Sequence, residues 1–261
     1  MTDDTLITET LQDGVLTLAL GNGRAHALSL AMIGALHTAI TKAEGNTAAR
    51  VLVIEGPGHI FCAGHDLKEI ARHRADPDLG LAYLTTLFDD CAAMMQAVAE
   101  CRKPTIASVD GIATAAGLQL VAACDLAFAS ERAEFCLPGV RNGGFCTTPA
   151  VAVSRAIGRK HLMELLLSGE NRAAAWALRV GLVNDVLDQA TLSAYVRAFA
   201  QRLATRNPKP ITDGKTCTYA HLDEDLSTAY AMATKTMIGH FMDPGRIAFE
   251  TASPFAKPKN S

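Results

Sequence analysis

The sequence predicts an α/β fold, on three observations. Short β-branched apolar runs recur at "VLVIEG" (51–56), "PTIASVDG" (104–111) and "DLAFAS" (125–130). Apolar residues at helical spacing lie between them. No hairpin turn is read in the strand–helix–strand succession, so the strands are expected to be parallel, buried on both faces and joined by right-handed crossovers.

The elements follow in order. "GVLTLAL" (14–20) alternates as a strand does. Ser29 is placed to cap a helix over "LSLAMIGALHTAITKAE", with Ile33, Leu36 and Ile40 on one face. After "VLVIEG" comes a glycine-rich loop, "GPGHIFCAGHD", then a polar helix start, "LKEIARH". Leu84, Phe88, Cys91, Met95 and Val98 recur at helical spacing. "PTIASVDG" leads into a helix over "TAAGLQLVAACD", and "DLAFAS" is the third short strand. Beyond about residue 150, "AVAVSRAI", "KHLMELLLSG", "AAAWALRVGLV" and "TLSAYVRAFAQRLATR" all read as helices. "NPKP" (207–210) reads as a hinge, with further helix from Ile211 to about Ala252.

Composition bounds the function. The chain has 261 residues, 49% hydrophobic and 20% charged, which fits a globular protein of one or two domains with room for one large core. A net charge of -3 gives no electrostatic footprint for nucleic acid or an anionic membrane. The acidic start "MTDDTLITET" lacks the features of a secretory signal. The most apolar stretch, "IATAAGLQLVAACDLAFA", carries Asp125 and two periodicities, so a buried helix and strand fit it better than a membrane span. Seven cysteines without a C-x-x-C pair argue against a disulfide framework or zinc site, and for a reducing cytoplasm. G-x-S-x-G, Walker A and H-E-x-x-H are absent, and "GNGRAH" reads as a turn.

Two junctions then stand out: "VLVIEGPGHIFCAGHDLKE" and "TIASVDGIATAAGLQL". In each, a buried strand passes through small residues into a helix. Small side chains leave backbone N–H groups unobstructed at the positive end of a helix dipole. Two such donors converging on one point make an oxyanion hole. Either junction alone is explained as well by tight packing. The pair, on neighbouring strands, points to a site.

Along nearly its whole length the chain resembles the crotonase superfamily, the enoyl-CoA hydratase/isomerase family. "FCAGHDLKEI" is similar to that family's F-C-A-G-A-D-L-K-E signature. "KPTIASVDGIATAAGLQLVAACDLAFAS" resembles its K-P-x-I-A-x-V-x-G … G-G-G-x-E-L-x-x-x-C-D stretch, and "ALRVGLVNDVL" its A-x-x-x-G-L-V-x-x-V. The resemblance implies a ClpP/crotonase-like spiral core of ββα units over residues 1–200. It also implies a helical oligomerisation region over 201–261, building a homotrimer or hexamer. It implies acyl-CoA as substrate with no further cofactor, and a thioester oxygen held by the N–H groups of His65 and Ala116. Ala63, Gly64, Asp66, Lys68, Gly117, Gly139 and Cys146 are the accompanying substrate-side positions.

The departures from the pattern carry as much information. The family's three-glycine run is Ala115, Ala116 and Gly117 here. Its two water-activating glutamates fall at Gln119 and, in "EFCLPGV", at Gly139. Gln119 can orient a water but cannot take a proton, and Gly139 can do neither. A general acid–base pair contributes roughly 10²–10⁴-fold, so hydration by the usual route should be lost. The expectation is an enzyme of this family with another reaction, or an acyl-CoA-binding or scaffold protein on the same fold. His65 is a candidate replacement base, or a wall of the pocket, or solvent-facing. Asp66 is expected to cap the following helix. Cys146 is a nucleophile only if an activating base is near, and otherwise pocket lining. Arg141 is a pocket residue or an exposed charge, and Lys68 a phosphate contact or a solvated lysine. Cys62 and Cys124 read as core. His26 replaces the family's asparagine, and Ala252 stands where a basic residue is common, leaving Lys257 or Lys259 as substitutes.

Overall fold

A computed structural model describes residues 5–252; Lys257 and Lys259 lie outside them. The chain divides into two compact units, one ending at Arg206 and one beginning at Asn207.

The first unit is built on two sheets. Strands β1 (Ile7–Gln12), β2 (Val15–Leu20), β3 (Val51–Glu55), β5 (Thr105–Val109), β7 (Leu126–Ser130) and β10 (Asp185–Leu187) form a six-stranded sheet in the order β1-β2-β3-β5-β7-β10. Strands β4 (Ile60–Cys62), β6 (Ile112–Thr114), β8 (Glu134–Cys136) and β9 (Arg172–Ala173) form a second sheet in the order β4-β6-β8-β9. β2-β3-β5-β7-β10 are parallel, as expected, and so are β4-β6-β8.

The continuous apolar runs are explained by cover on both faces. Leu16, Leu18, Leu52, Ile54, Ala107, Val109, Ala127 and Ala129 face the main core. That core also holds the buried faces of α1 (Leu30–Gly45), α3 (Leu81–Glu100) and α4 (Ala116–Ala123). The alternate residues Val15, Val51, Val53, Ile106 and Phe128 pack against Leu192, Val196 and Ala200 of α8 (Gln189–Ala204). Period-two alternation thus survives, hidden because both sides are apolar. Ser29 caps α1 by accepting from the Met32 N–H at 3.1 Å.

Four local expectations are corrected. A hairpin does exist: β1 and β2 pair antiparallel across Asp13–Gly14, whose φ values are 51° and 79°. Asp-Gly is the dipeptide such tight turns favour. The loop "GPGHIFCAGHD" contains β4, whose three residues are too few to show a period. "AAAWALRVGLV" is helical only as α7 (Ala174–Val180); Gly181, at φ 81°, ends it. The stretch beyond 150 is not purely helical, since β9 and β10 lie in it, β10 completing the large sheet beside β7.

The second unit contains α9 (Pro208–His221), α10 (Leu226–Phe241) and α11 (Pro244–Ala252). Asn207 caps α9 by accepting from the Lys209 N–H at 3.2 Å, with Pro208 in the first helical turn. "NPKP" is therefore a helix start at the point where the chain divides. No described residue from 207 onward is buried. Among the described residues no helix is long and apolar enough to cross a membrane.

Candidate active site

The two junctions leave from adjacent strands of the smaller sheet. Parallel pairing of β4 with β6 sets Ile60 beside Ile112 and Cys62 beside Ala113. The chains then approach so closely that side chains are excluded. A Cβ on Gly117 would lie 2.1 Å from the Cys62 carbonyl oxygen. A Cβ on Gly64 would lie 3.1 Å from the Ala116 nitrogen and 2.9 Å from the Ala115 Cβ. Gly64 also takes φ 82°, where a side chain is strained.

Backbone bonding orients the donors. Leu28 and His65 form a parallel bridge in which the Leu28 N–H donates to Gly64 O at 2.8 Å and the Asp66 N–H to Leu28 O at 3.2 Å. A parallel bridge of this kind uses the groups on either side of His65 and turns the His65 N–H away from Leu28. Ala116 is the first residue of α4, so its N–H is one of the orphan donors of a helix start. No side chain caps that start. Ala115, before it, holds φ 51° and ψ -121°, and its N–H donates to Cys136 O at 2.9 Å.

His65 and Gln119 bring uncharged side chains to the two junctions. His65 meets the ring of Phe88 on α3 edge-on, with centroids 5.0 Å apart. Its Nε2 is buried with no partner among the described residues, and burial pushes the imidazole down to about 4. The ring is therefore uncharged at pH 7 and a weak base, not solvent-facing. Gln119, the fourth residue of α4, is 5% exposed, and its Oε1 likewise has no partner among the described residues. Gly139 lies in a 3-10 turn, Pro138–Asn142, where a Cβ would meet the Cys146 nitrogen at 2.7 Å and the Phe145 Cα at 2.9 Å. Neither Gln119 nor Gly139 offers a carboxylate, and a side chain at Gly139 would need the Phe145–Cys146 backbone to shift.

The other candidates separate clearly. Asp66 caps α2 (Leu67–Arg72), accepting from the N–H groups of Lys68 at 2.9 Å and Glu69 at 3.1 Å. Lys68 is exposed on that helix. The Ala63 N–H is used by Ala25 O at 2.9 Å. Cys146 is buried, and burial raises its thiol pKa, opposed by the Gly139 backbone N–H. A thiol so held is less ionised than a free one. Cys62 is core, its thiol pushed up to about 12 by burial; Cys124 is also buried, and none of the seven cysteines forms a disulfide. Arg141 reaches back to Gly169 O at 3.3 Å. Ala252 ends α11 and is exposed. Among the described residues no three His, Cys, Asp or Glu side chains cluster to hold a metal ion.

Two supports escaped sequence reading. His26 takes φ 45°, a left-handed conformation that asparagine and histidine both tolerate. Its Nε2–H donates to Pro57 O at 2.8 Å, and the Cys62 thiol donates to His26 O at 3.2 Å, fixing the first junction from beneath. Glu69 accepts from the Leu30 N–H at 3.0 Å, joining α2 to the start of α1. A glutamate three residues past a capping aspartate reads as part of a local cap, which hides so distant a partner.

A family model described as enoyl-CoA hydratase/isomerase matches residues 10–255. The mitochondrial enoyl-CoA hydratase domain-containing protein 3 of Rattus norvegicus is 40% identical over 228 residues, 87% of this chain and 74% of that protein. A solved enoyl-CoA hydratase/isomerase family protein from Silicibacter pomeroyi is 55% identical, with a TM-score of 0.87 over 91% of this chain and 100% of that one. Human enoyl Coenzyme A hydratase domain-containing protein 3 is 33% identical, with a TM-score of 0.90 over 98% of this chain and 100% of that one. The two-sheet core, the paired junctions and these likenesses agree, and the chain belongs to the enoyl-CoA hydratase/isomerase family.

Proposed function

We propose that the protein binds acyl-CoA and polarises its thioester carbonyl with the backbone N–H groups of His65 and Ala116. The observation that carries this reading is the contact of the two junctions at Gly64, which brings the Ala116 nitrogen within 3.1 Å of where a Gly64 Cβ would stand. Donors fixed in a dry site need no reorganisation as negative charge develops on the oxygen. Each is worth about 3–4 kcal/mol to an enolate-like transition state.

Neutral surroundings limit the step after polarisation. Gln119 hydrogen-bonds but does not ionise, and Gly139 offers no group. His65 is the titratable side chain beside the donor, and its lowered pKa makes it a poor proton acceptor at pH 7. Hydration of an enoyl-CoA is therefore slow, and a reaction driven by carbonyl polarisation alone is favoured. The same neutrality supports a second reading, an acyl-CoA-binding protein without turnover.

The second unit supports a homo-oligomer, trimer or hexamer. It buries none of its described residues, and Tyr230, Met237, Phe241 and Phe249 are exposed. Cysteine usage favours a reducing compartment, the cytoplasm by default; the name of the rat relative carries "mitochondrial", and fractionation distinguishes the two.

The test is calorimetric titration of the protein with butyryl-CoA and free CoA, with a crotonyl-CoA hydration assay alongside. Tighter binding of the thioester than of CoA supports the reading. Equal binding, or none, overturns it. Turnover separates the enzyme from the binding protein.

A further inference from the structure

We propose that a cleft on the α8 side of the large sheet binds a small zwitterion of the α-amino acid class, its ammonium on Glu55 and its carboxylate on Arg197. The cleft has a volume of about 150 Å³ and is lined by Thr17, Val53, Glu55, Ser108, Ser193 and Arg197, among others. It lies on the face opposite the junctions. Glu55 follows Val51 and Val53, and Ser108 follows Ile106, in the residues that pack toward α8. The proposal is therefore independent of the acyl-CoA reading.

The backbone builds the site. Glu55 and Ser108 are register partners across β3 and β5. Glu55 is the last residue of β3 and Ser108 the penultimate residue of β5. Carboxyl ends of parallel strands are where open α/β sheets place ligands. Ser108 is 6% exposed and lines the cleft, yet no described residue hydrogen-bonds to its hydroxyl. The same holds for the Glu55 carboxylate and the Arg197 guanidinium. Burial raises the Glu55 pKa and Arg197 opposes that rise, so the two charges sense each other without a direct bond.

Ser108 lies at the buried end of the cleft, Glu55 is half-buried and Arg197 is exposed at its mouth, so the two charges are open to a ligand from solvent. The oxygens of Glu55, Ser108 and Thr17 match the three donors of an ammonium group. The guanidinium fork matches a carboxylate. A lone cation or a lone anion pairs with one end only. A molecule carrying both ends, with a short aliphatic centre against Val53 and Val196, pairs with both. The volume equals about five waters, the size of a small amino acid.

The experiment is calorimetric titration of the full chain with glycine and alanine, with methylammonium and acetate as one-ended probes. Saturable binding of the amino acids is expected, with the one-ended probes weaker by about tenfold or more. Glu55→Gln and Arg197→Ala should each weaken amino-acid binding by about tenfold or more, and Ser108→Ala by a few-fold. Butyryl-CoA titrated into the same variants should behave as with the parent protein. No saturable binding, equal binding of the one-ended probes, or indifference to both charge variants overturns the proposal and leaves a solvated pair of charges. Amino-acid binding without butyryl-CoA binding would sink the junction reading and leave this one standing.

Discussion

The two junctions do the same geometric task with opposite means. The first turns at Gly64 and opens α2, a helix with no buried residue, whose early donors Asp66 consumes as a cap. The second turns at Ala115, an L-residue at φ 51°, and opens α4, where seven of eight residues are buried and no side chain caps the start. The capped junction spends its helix donors on Asp66 and keeps the His65 N–H turned away from Leu28. The uncapped one stores backbone strain of order 1–3 kcal/mol and keeps its first N–H groups unspent. Strain and orphan donors coincide at the place where a ligand oxygen would satisfy them.

Breaking the contact between the junctions should have the largest effect. Gly117→Ala drives a methyl to 2.1 Å from the Cys62 carbonyl oxygen, backbone against backbone. A loss of about 3 kcal/mol or more is expected in urea unfolding, above the usual cost of overpacking because neither side can rotate away. A loss under about 1 kcal/mol would show that the junctions are looser than described.

A pH series sharpens the first junction. The folded-state pKa of His65 is lowered to about 4, against an ordinary value near 6.5. Below the ordinary value the unfolded chain binds the proton more readily, so stability falls as pH drops from about 6.5 toward 4. The contribution lost is on the order of 3 kcal/mol. His65→Phe should flatten that part of the stability–pH curve. An unchanged curve would mean that the imidazole is hydrated.

Smaller effects distinguish cap from strain. Asp66→Ala removes the α2 cap and should cost about 1 kcal/mol. Ala115→Gly should stabilise by about 0.5–1 kcal/mol, because relief of the positive φ exceeds the added freedom of the unfolded chain. A destabilised Ala115→Gly would mean that the alanine methyl contributes packing that outweighs its strain.

Much of this was legible in the sequence, and the failures share a cause. Val51–Glu55, Thr105–Val109 and Leu126–Ser130 declared themselves as buried strands through their short, mostly apolar runs. Ser29 and Asp66 announced their helices because a cap is a local device. Three-residue strands such as Ile60–Cys62 and Glu134–Cys136 have no room to display a period, and their pairing is entirely long-range. The Asp13–Gly14 dipeptide signals a hairpin, but the polar residues of Ile7–Gln12 hide its edge strand. The family motifs located Gln119 and Gly139. Only the structure shows that a Cβ at Gly139 would meet the Cys146 and Phe145 backbone, so a side chain there needs the loop to shift.

The most direct measurement is the infrared carbonyl stretch of butyryl-CoA labelled with carbon-13 at the thioester carbon, free and bound. The account predicts a shift to lower frequency on binding, as two N–H donors draw charge onto the oxygen. The shift should be largely lost in Ala116→Pro, where the second donor is gone and circular dichroism confirms the fold. An unshifted carbonyl in the bound parent protein, or an equal shift in Ala116→Pro, would contradict it.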